Sequence, residues 1–255
     1  SQMMGLTVQQ FISAATGMAV AAAFIRGIVS ASSTSLGNFW VDVVRGVLYI
    51  LLPLSFMMAI LLNTQGVIQN FHDYLMIPSI DANSPMQVIP GGPVASQEAI
   101  KQLGSNGGGF FGANSAHPFE NPTPFSNFLE LLAILLIPVS FIIAYGKMIN
   151  QPKQSIALLS LLLLVLILGF LCCSMLETSN GTLNYTGKEY RHGIFNSTLW
   201  AVATTATSNG STNALIDAFH PLSGMIPLLF MLTGEVILGG VGQGLYSLIL
   251  YIFIT

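Results

Sequence analysis

Apolar residues run through this chain in blocks too long for the core of an ordinary soluble domain. Four of them, Leu6–Val29, Trp40–Leu62, Phe125–Met148 and Ile156–Met175, are about as long as the roughly 20 helical residues that cross a 30 Å hydrocarbon layer. Their few charges lie toward the ends. Arg26 comes late in the first block, where it can snorkel, and Asp42 and Arg45 sit in the first turns of the second. Glu130 opens the third, and the fourth has no charge. Pro53 and Pro138 predict local disturbance of the second and third spans. A fifth block, Met225 to Thr255, would run roughly 46 Å as one helix, which overshoots the bilayer. Gly239-Gly240-Val241-Gly242-Gln243-Gly244 interrupts it and predicts a break. Irregular backbone at membrane depth needs protein or water around it, so a break here implies a cavity. Close helix packing through Gly240-x-x-x-Gly244 is the competing account of the same glycines.

Between the spans lie two long, more polar segments, Asn63–Asn121 and Leu176–Gly224. Each holds a helical candidate of about half a membrane thickness, Val94–Leu103 and Ile194–Ala206. Each stretch ends in an Asn-Gly turn, Leu103-Gly104-Ser105-Asn106-Gly107-Gly108-Gly109 and Thr204-Thr205-Ala206-Thr207-Ser208-Asn209-Gly210. At an offset of 103 residues, Ser105-Asn106-Gly107 falls on Ser208-Asn209-Gly210, and His117-Pro118 on His220-Pro221. The order span, half-helix, glycine-rich turn, span therefore occurs twice. The expected fold class is an all-α membrane protein of span–pore helix–span repeats with re-entrant filter loops. The expected division is residues 1–38 as the closing helix and loop of an incomplete first repeat, 39–150 as a second repeat and 151–255 as a third with a broken closing helix.

Composition agrees. The chain is 53% hydrophobic and 7% charged, against about 25% charged in soluble domains. Its mean hydropathy is +0.72. A net charge of −3 without like-charge runs argues against a nucleic-acid partner. Arg26, Arg45, Lys147 and Lys153 flank the short connections near residues 30–39 and 146–155, which places these loops in the cytoplasm. Cys172 and Cys173 are adjacent and match no metal spacing, so both read as small buried residues. Asn180, Asn184 and Asn196 open glycosylation-type triplets, a pattern common by chance. The first residues carry no signal-peptide pattern, and both ends look cut, as in a piece of a longer protein.

The two turns carry the candidate chemistry. A dehydrated cation needs several oxygens in place of its water, and backbone carbonyls supply them without net charge, so the ion can leave. Aiming successive carbonyls inward requires positive φ, which glycine accepts freely and asparagine more readily than most. Gly107, Gly108, Gly109, Asn209 and Gly210 are expected to take it. A half-helix entering from outside points its negative dipole end at the ion. Ser105, Thr207 and Ser208 hydroxyls are further candidate ligands, beside Asn106. Phosphate cradling is disfavoured, because no Gly-Lys-Ser/Thr follows and the loop follows a helix. Plain surface turns remain the bland account. Glu235 lies in an apolar block beside the glycine break, and an intramembrane carboxyl is a functional candidate by default. A structural pairing of the same group is the alternative.

Three stretches, Gly92-Pro93-Val94-Ala95-Ser96-Gln97-Glu98-Ala99-Ile100-Lys101, Asn106–Phe111 and Ser115–Pro122, resemble the potassium-binding A subunits of bacterial Kdp potassium-transporting ATPases. Gly234-Glu235-Val236 with Gly239–Tyr246 resembles them again. The resemblance covers essentially the whole chain. It implies a potassium-transporter fold with four span–pore–span repeats around one filter, of which this chain holds the second and third. It implies K⁺ as the bound ion and no organic cofactor. It also implies a P-type ATPase catalytic subunit and small accessory membrane subunits as partners, in the bacterial inner membrane. Filter positions carry over to Ser105, Asn106, Gly107, Gly108 and Gly109, and to Thr207, Ser208, Asn209 and Gly210. The gating loop carries over to Gly239, Gly240, Gly242 and Gly244. The family often has Thr where this chain has Ser105, and Cys where it has Asn209, differences that bear on selectivity more than on location. A channel or symporter subunit of the same superfamily and a non-conducting membrane scaffold are the alternative readings. Two of four quadrants surround an ion on one side only, so this chain alone is expected not to transport; saturable K⁺-selective flux in liposomes would contradict that.

Overall fold

The computed structural model describes residues 2–30, 35–79, 86–178, 184–234 and 236–254. Among them, four helical spans are long and apolar enough to cross a membrane. The first is α1, Gln2–Val29. The second starts as α2, Phe39–Arg45, where the Asn38 side chain caps the helix by accepting the Val41 amide at 3.2 Å. It widens into a π-helical turn, Gly46–Leu51, and continues as α3, Leu52–Thr64. The disturbance expected at Pro53 thus takes the form of a π turn just before a residue that has no amide to donate. An antiparallel β1 (Leu75–Ile77) and β2 (Gln87–Ile89) follow, a small ribbon that the hydropathy pattern does not announce.

The half-helix α4 spans Val94–Leu103, and every residue in it except Ser96 is buried. The third span, α5, is Pro124–Met148, opened by a reciprocal Thr123–Ser126 capping box. The fourth, α6, is Pro152–Thr178. A Cβ on Gly146 would lie 2.0 Å from Ser155 Oγ, so only glycine lets α5 turn this tightly into α6. A second half-helix, α7, covers Gly193–Ala206. The fifth apolar block is two helices, α8 (Pro221–Leu232) and α9 (Gln243–Ile254), joined by an irregular segment that contains Gly239 and Gly240. This is the break that the glycine run predicts. Close packing accompanies it, for a Cβ on Gly242 would come within 2.7 Å of Ala21 Cβ in α1.

Burial follows two cores. One gathers Ala14, Leu51, Leu62, Ala99, Ile100 and Leu103 around α4. The other gathers Leu162, Leu166, Val202, Ala206, Phe230 and Ile249 around α7. Phe141 of α5 packs against both. Large apolar side chains such as Leu161, Leu164 and Leu168 are exposed on the outside of α6, as lipid-facing positions would be. Cys173 is buried, but Cys172 is exposed on this face, so the reading of both cysteines as buried holds for one.

Candidate ion-binding turns

Both half-helices stop in the same way. In α4, Ser105 takes φ +50°, its amide bonds the Gln102 carbonyl at 3.2 Å, and the Asn106 amide reaches back to the Lys101 carbonyl at 3.1 Å. In α7, Ser208 takes φ +59° and the Asn209 amide reaches the Thr204 carbonyl at 3.0 Å. This is the Schellman ending, in which a left-handed residue after the cap turns the chain across the last carbonyls. The partners correspond one to one at the offset of 103 found in the sequence. Positive φ then returns at Gly107 (+67°), Gly108 (+84°) and Gly210 (+82°). Gly109 and Asn209, expected in that region, are outside it, and serines occupy it instead. The reason is local. The C′ position of the ending falls one residue before each asparagine, which stays free to use its side chain.

The two turns touch. A Cβ on Gly107 would lie 2.2 Å from the Asn209 carbonyl oxygen and 2.7 Å from the Gly210 carbonyl carbon. Asn209 Nδ2 donates to the Gln102 carbonyl at 3.4 Å, and Ser211 Oγ donates to Gln102 Oε1 at 3.0 Å. On the other side, the Asn106 side chain and Ser13 Oγ exchange hydrogen bonds of 2.8 and 3.0 Å. Ser13 lies about 17 Å along α1 from its start, so the turns sit near mid-span. The glycine break comes to the same place. The Gly240 amide donates to the Thr207 carbonyl at 2.7 Å. Gly240 and Val241 line a cavity of about 190 Å³ with Ser13, Ser105, Asn106 and Ser208. Glu235 lies outside the described residues.

Several residues that the sequence reading passed over hold this arrangement. Gln102, Lys101, Glu98, Ser115, Glu120 and Glu130 are fully buried behind the first turn. Lys101 pairs with Glu98, and Glu120 Oε1 accepts the Phe111 amide at 2.7 Å where the turn leaves. Burial raises the Glu120 carboxyl above its ordinary value, against the pull of Lys101 and two backbone amides. Phe111 packs on Phe110, His117 and Phe119 at 4.4 to 6.0 Å between ring centres, and the Phe110 ring lies over Gly92, where a Cβ would meet it at 2.4 Å. Behind the second turn, the indole of fully buried Trp200 donates to the Ser211 carbonyl at 2.9 Å. Arg191, before α7, bonds the Ala116 carbonyl and, at 3.1 Å, the Asn121 carbonyl, tying one outer segment to the other. Burial, then the charge of Arg191, lowers the neighbouring His192 to about 4. The sequence signal of this layer is a pair of opposite charges, Glu98 and Lys101, three residues apart within a half-helix.

Among the described residues, no three His, Cys, Asp or Glu side chains gather as metal ligands. The oxygens at the turns are carbonyls and hydroxyls, hard neutral donors. Two helix C-termini bring partial negative charge to one place at mid-span. Oxygens of this kind can replace part of a cation's hydration shell without adding net charge.

The Potassium-transporting ATPase A subunit family matches residues 1–255. Relatives named potassium-transporting ATPase potassium-binding subunit align with the whole chain. That of Listeria welshimeri is 50% identical over 263 residues, covering 100% of this chain and 47% of the relative. That of Yersinia pestis strain Pestoides F is 50% identical over 265 residues, with the same coverage. The chain spans about half the length of the curated relatives it matches.

Proposed function

Because the chain belongs to the potassium-transporting ATPase A subunit family, we propose that it contributes to the potassium-binding and translocating subunit of an ATP-driven potassium import complex. On this reading Ser105–Gly109 and Thr207–Gly210 form two sectors of a filter that takes K⁺ from the outer side. Further sectors, in the four-repeat plan that the resemblance implies, complete the ring. The ion then passes to a P-type ATPase subunit that carries out the ATP chemistry, with small accessory subunits, in the bacterial inner membrane. Gly239, Gly240, Gly242 and Gly244 are the gating candidates, because the Gly240 amide already holds a filter-turn carbonyl.

The observation that carries this reading is the meeting of two half-helix ends with matching left-handed serines at the mid-depth of the spans. Neutral oxygens at converging negative dipole ends suit an alkali cation and suit neither phosphate nor a transition metal. The test is thermal stabilisation of the full-length subunit by K⁺, compared with Na⁺ at equal ionic strength. A K⁺-dependent rise in melting temperature that Gly107→Asp abolishes is the expected result. Equal responses to the two ions would remove the filter reading.

A further inference from the structure

The buried cluster behind the first turn is more elaborate than carbonyl ligation requires. Gln102 Nε2 donates to Glu130 Oε2 and to Ser115 Oγ, both at 2.8 Å. Ser115 Oγ also accepts from Lys101 Nζ at 3.1 Å and donates to Glu130 Oε2 at 2.7 Å. The Glu130 contact fixes which way the Gln102 amide faces: a flipped amide would set its oxygen against the Glu130 carboxylate, whereas the Ser115 and Ser211 hydroxyls can donate or accept in either orientation. With the flip locked, Oε1 points at the second turn. Gln102 thus touches the first turn through its carbonyl, which accepts the Ser105 amide at 3.2 Å. It touches the second turn through both that carbonyl and its side chain, at Asn209 and Ser211.

The other half-helix offers no counterpart. Thr205, at the repeat offset from Gln102, bonds back to the Ala201 carbonyl of its own helix at 2.8 Å. Among the described residues, the second turn therefore meets the end of α4 through Asn209 and Ser211, both of which donate to Gln102. Burying charged groups in order to aim one amide is costly in isolation. A cluster of this kind specifies a geometry.

We infer that Gln102 is a positioning residue that sets the separation of the two turns and thereby the discrimination between K⁺ and smaller alkali cations, with Glu130, Ser115 and Lys101 holding it in register. The inference rests on the filter reading above. It concerns selectivity, and Gln102 itself does not touch the ion.

The experiment is K⁺ and Na⁺ titration of the full-length subunit, read by thermal stabilisation. Gln102→Ala is expected to weaken apparent K⁺ affinity about tenfold, equal to ~1.4 kcal/mol, and to lower the K⁺-to-Na⁺ ratio. Gln102→Glu alone sets carboxyl against carboxyl and is expected to do the same. Combining it with Glu130→Gln exchanges donor and acceptor at unchanged net charge, and is expected to restore affinity to within about threefold of the parent. This exchange carries the test where Gln102→Ala does not fold. The inference is overturned if the parent responds to K⁺ while Gln102→Ala keeps affinity and ratio within about twofold, a change too small for a lost buried hydrogen bond. It is also overturned if the exchange is no better than Gln102→Glu. A parent without any K⁺ response overturns the filter reading itself, and this inference with it.

Discussion

The two turns share a backbone and differ in what stands behind it. At positions 103 residues apart, Ser105 and Ser208 take nearly the same left-handed φ, and each half-helix ends through the same amide-to-carbonyl bond. Behind the first turn lie a buried lysine, three buried carboxyls and an aromatic cover. Behind the second, hydroxyls bond back to their own helix and one indole braces the exit. Lys101 of α4 corresponds to Thr204 of α7, whose buried hydroxyl has no hydrogen-bond partner among the described residues. The same helix ending thus stands on two different supports: the backbone conformation is shared, and the side chains behind it are not.

The comparison breaks most sharply at the glycines. Gly107 has a left-handed φ and no room, whereas Gly210 has a left-handed φ and nothing within 4 Å of its missing Cβ. Gly107→Ala must push the turns apart and is expected to destabilise the full-length subunit by about 3 kcal/mol or more, beyond the usual range for overpacking. Gly210→Ala meets only the backbone penalty of about 1–2 kcal/mol. Chemical denaturation measures the difference, and equal losses would mean that the turns do not touch.

Next come the equivalent positions Lys101 and Thr204. Lys101→Met leaves buried carboxyls without their cation and is expected to cost about 3–5 kcal/mol. Thr204→Val removes an unpartnered hydroxyl and is expected to be neutral or slightly stabilising. Trp200→Phe, which deletes the bond to the Ser211 carbonyl, is expected to cost about 1–3 kcal/mol and to loosen the second turn more than the first. Hydrogen exchange at the Ser211 amide against the Phe111 amide reads that asymmetry.

A further expected effect is one of pH. His192 is held neutral by burial, with a pKa of about 4, against an unfolded value near 6.5. The unfolded chain binds the extra proton first. The stability contribution is therefore complete above pH ~6.5 and is lost progressively as pH falls toward 4. His192→Gln is expected to flatten this part of the melting-temperature profile. An unchanged acid limb would assign the loss to other groups.

Hydropathy alone located the spans, because the bilayer sets a minimum apolar length that any crossing helix must show. Glycine composition located the break after α8, and the turn residues located the ends of both half-helices to within a residue. Asn209 nevertheless misled. Its tolerance of left-handed φ is a local propensity, and the helix ending assigned that conformation to the serine before it. Gln102, Ser115 and Glu130 were not legible at all. Their bonds to one another and to Ser211 join positions 13 to 109 residues apart, and no local pattern encodes such pairings.

By itself, then, the sequence determined where this chain enters and leaves the membrane and where its helices must stop, since those depend on apolar length and on single-residue backbone freedom. Tertiary structure alone decided that the two turns meet, that the Gly240 amide binds Thr207, and which way the Gln102 amide faces. Each of these is a contact between distant segments. Its energy exists only after both segments have been brought to the same place.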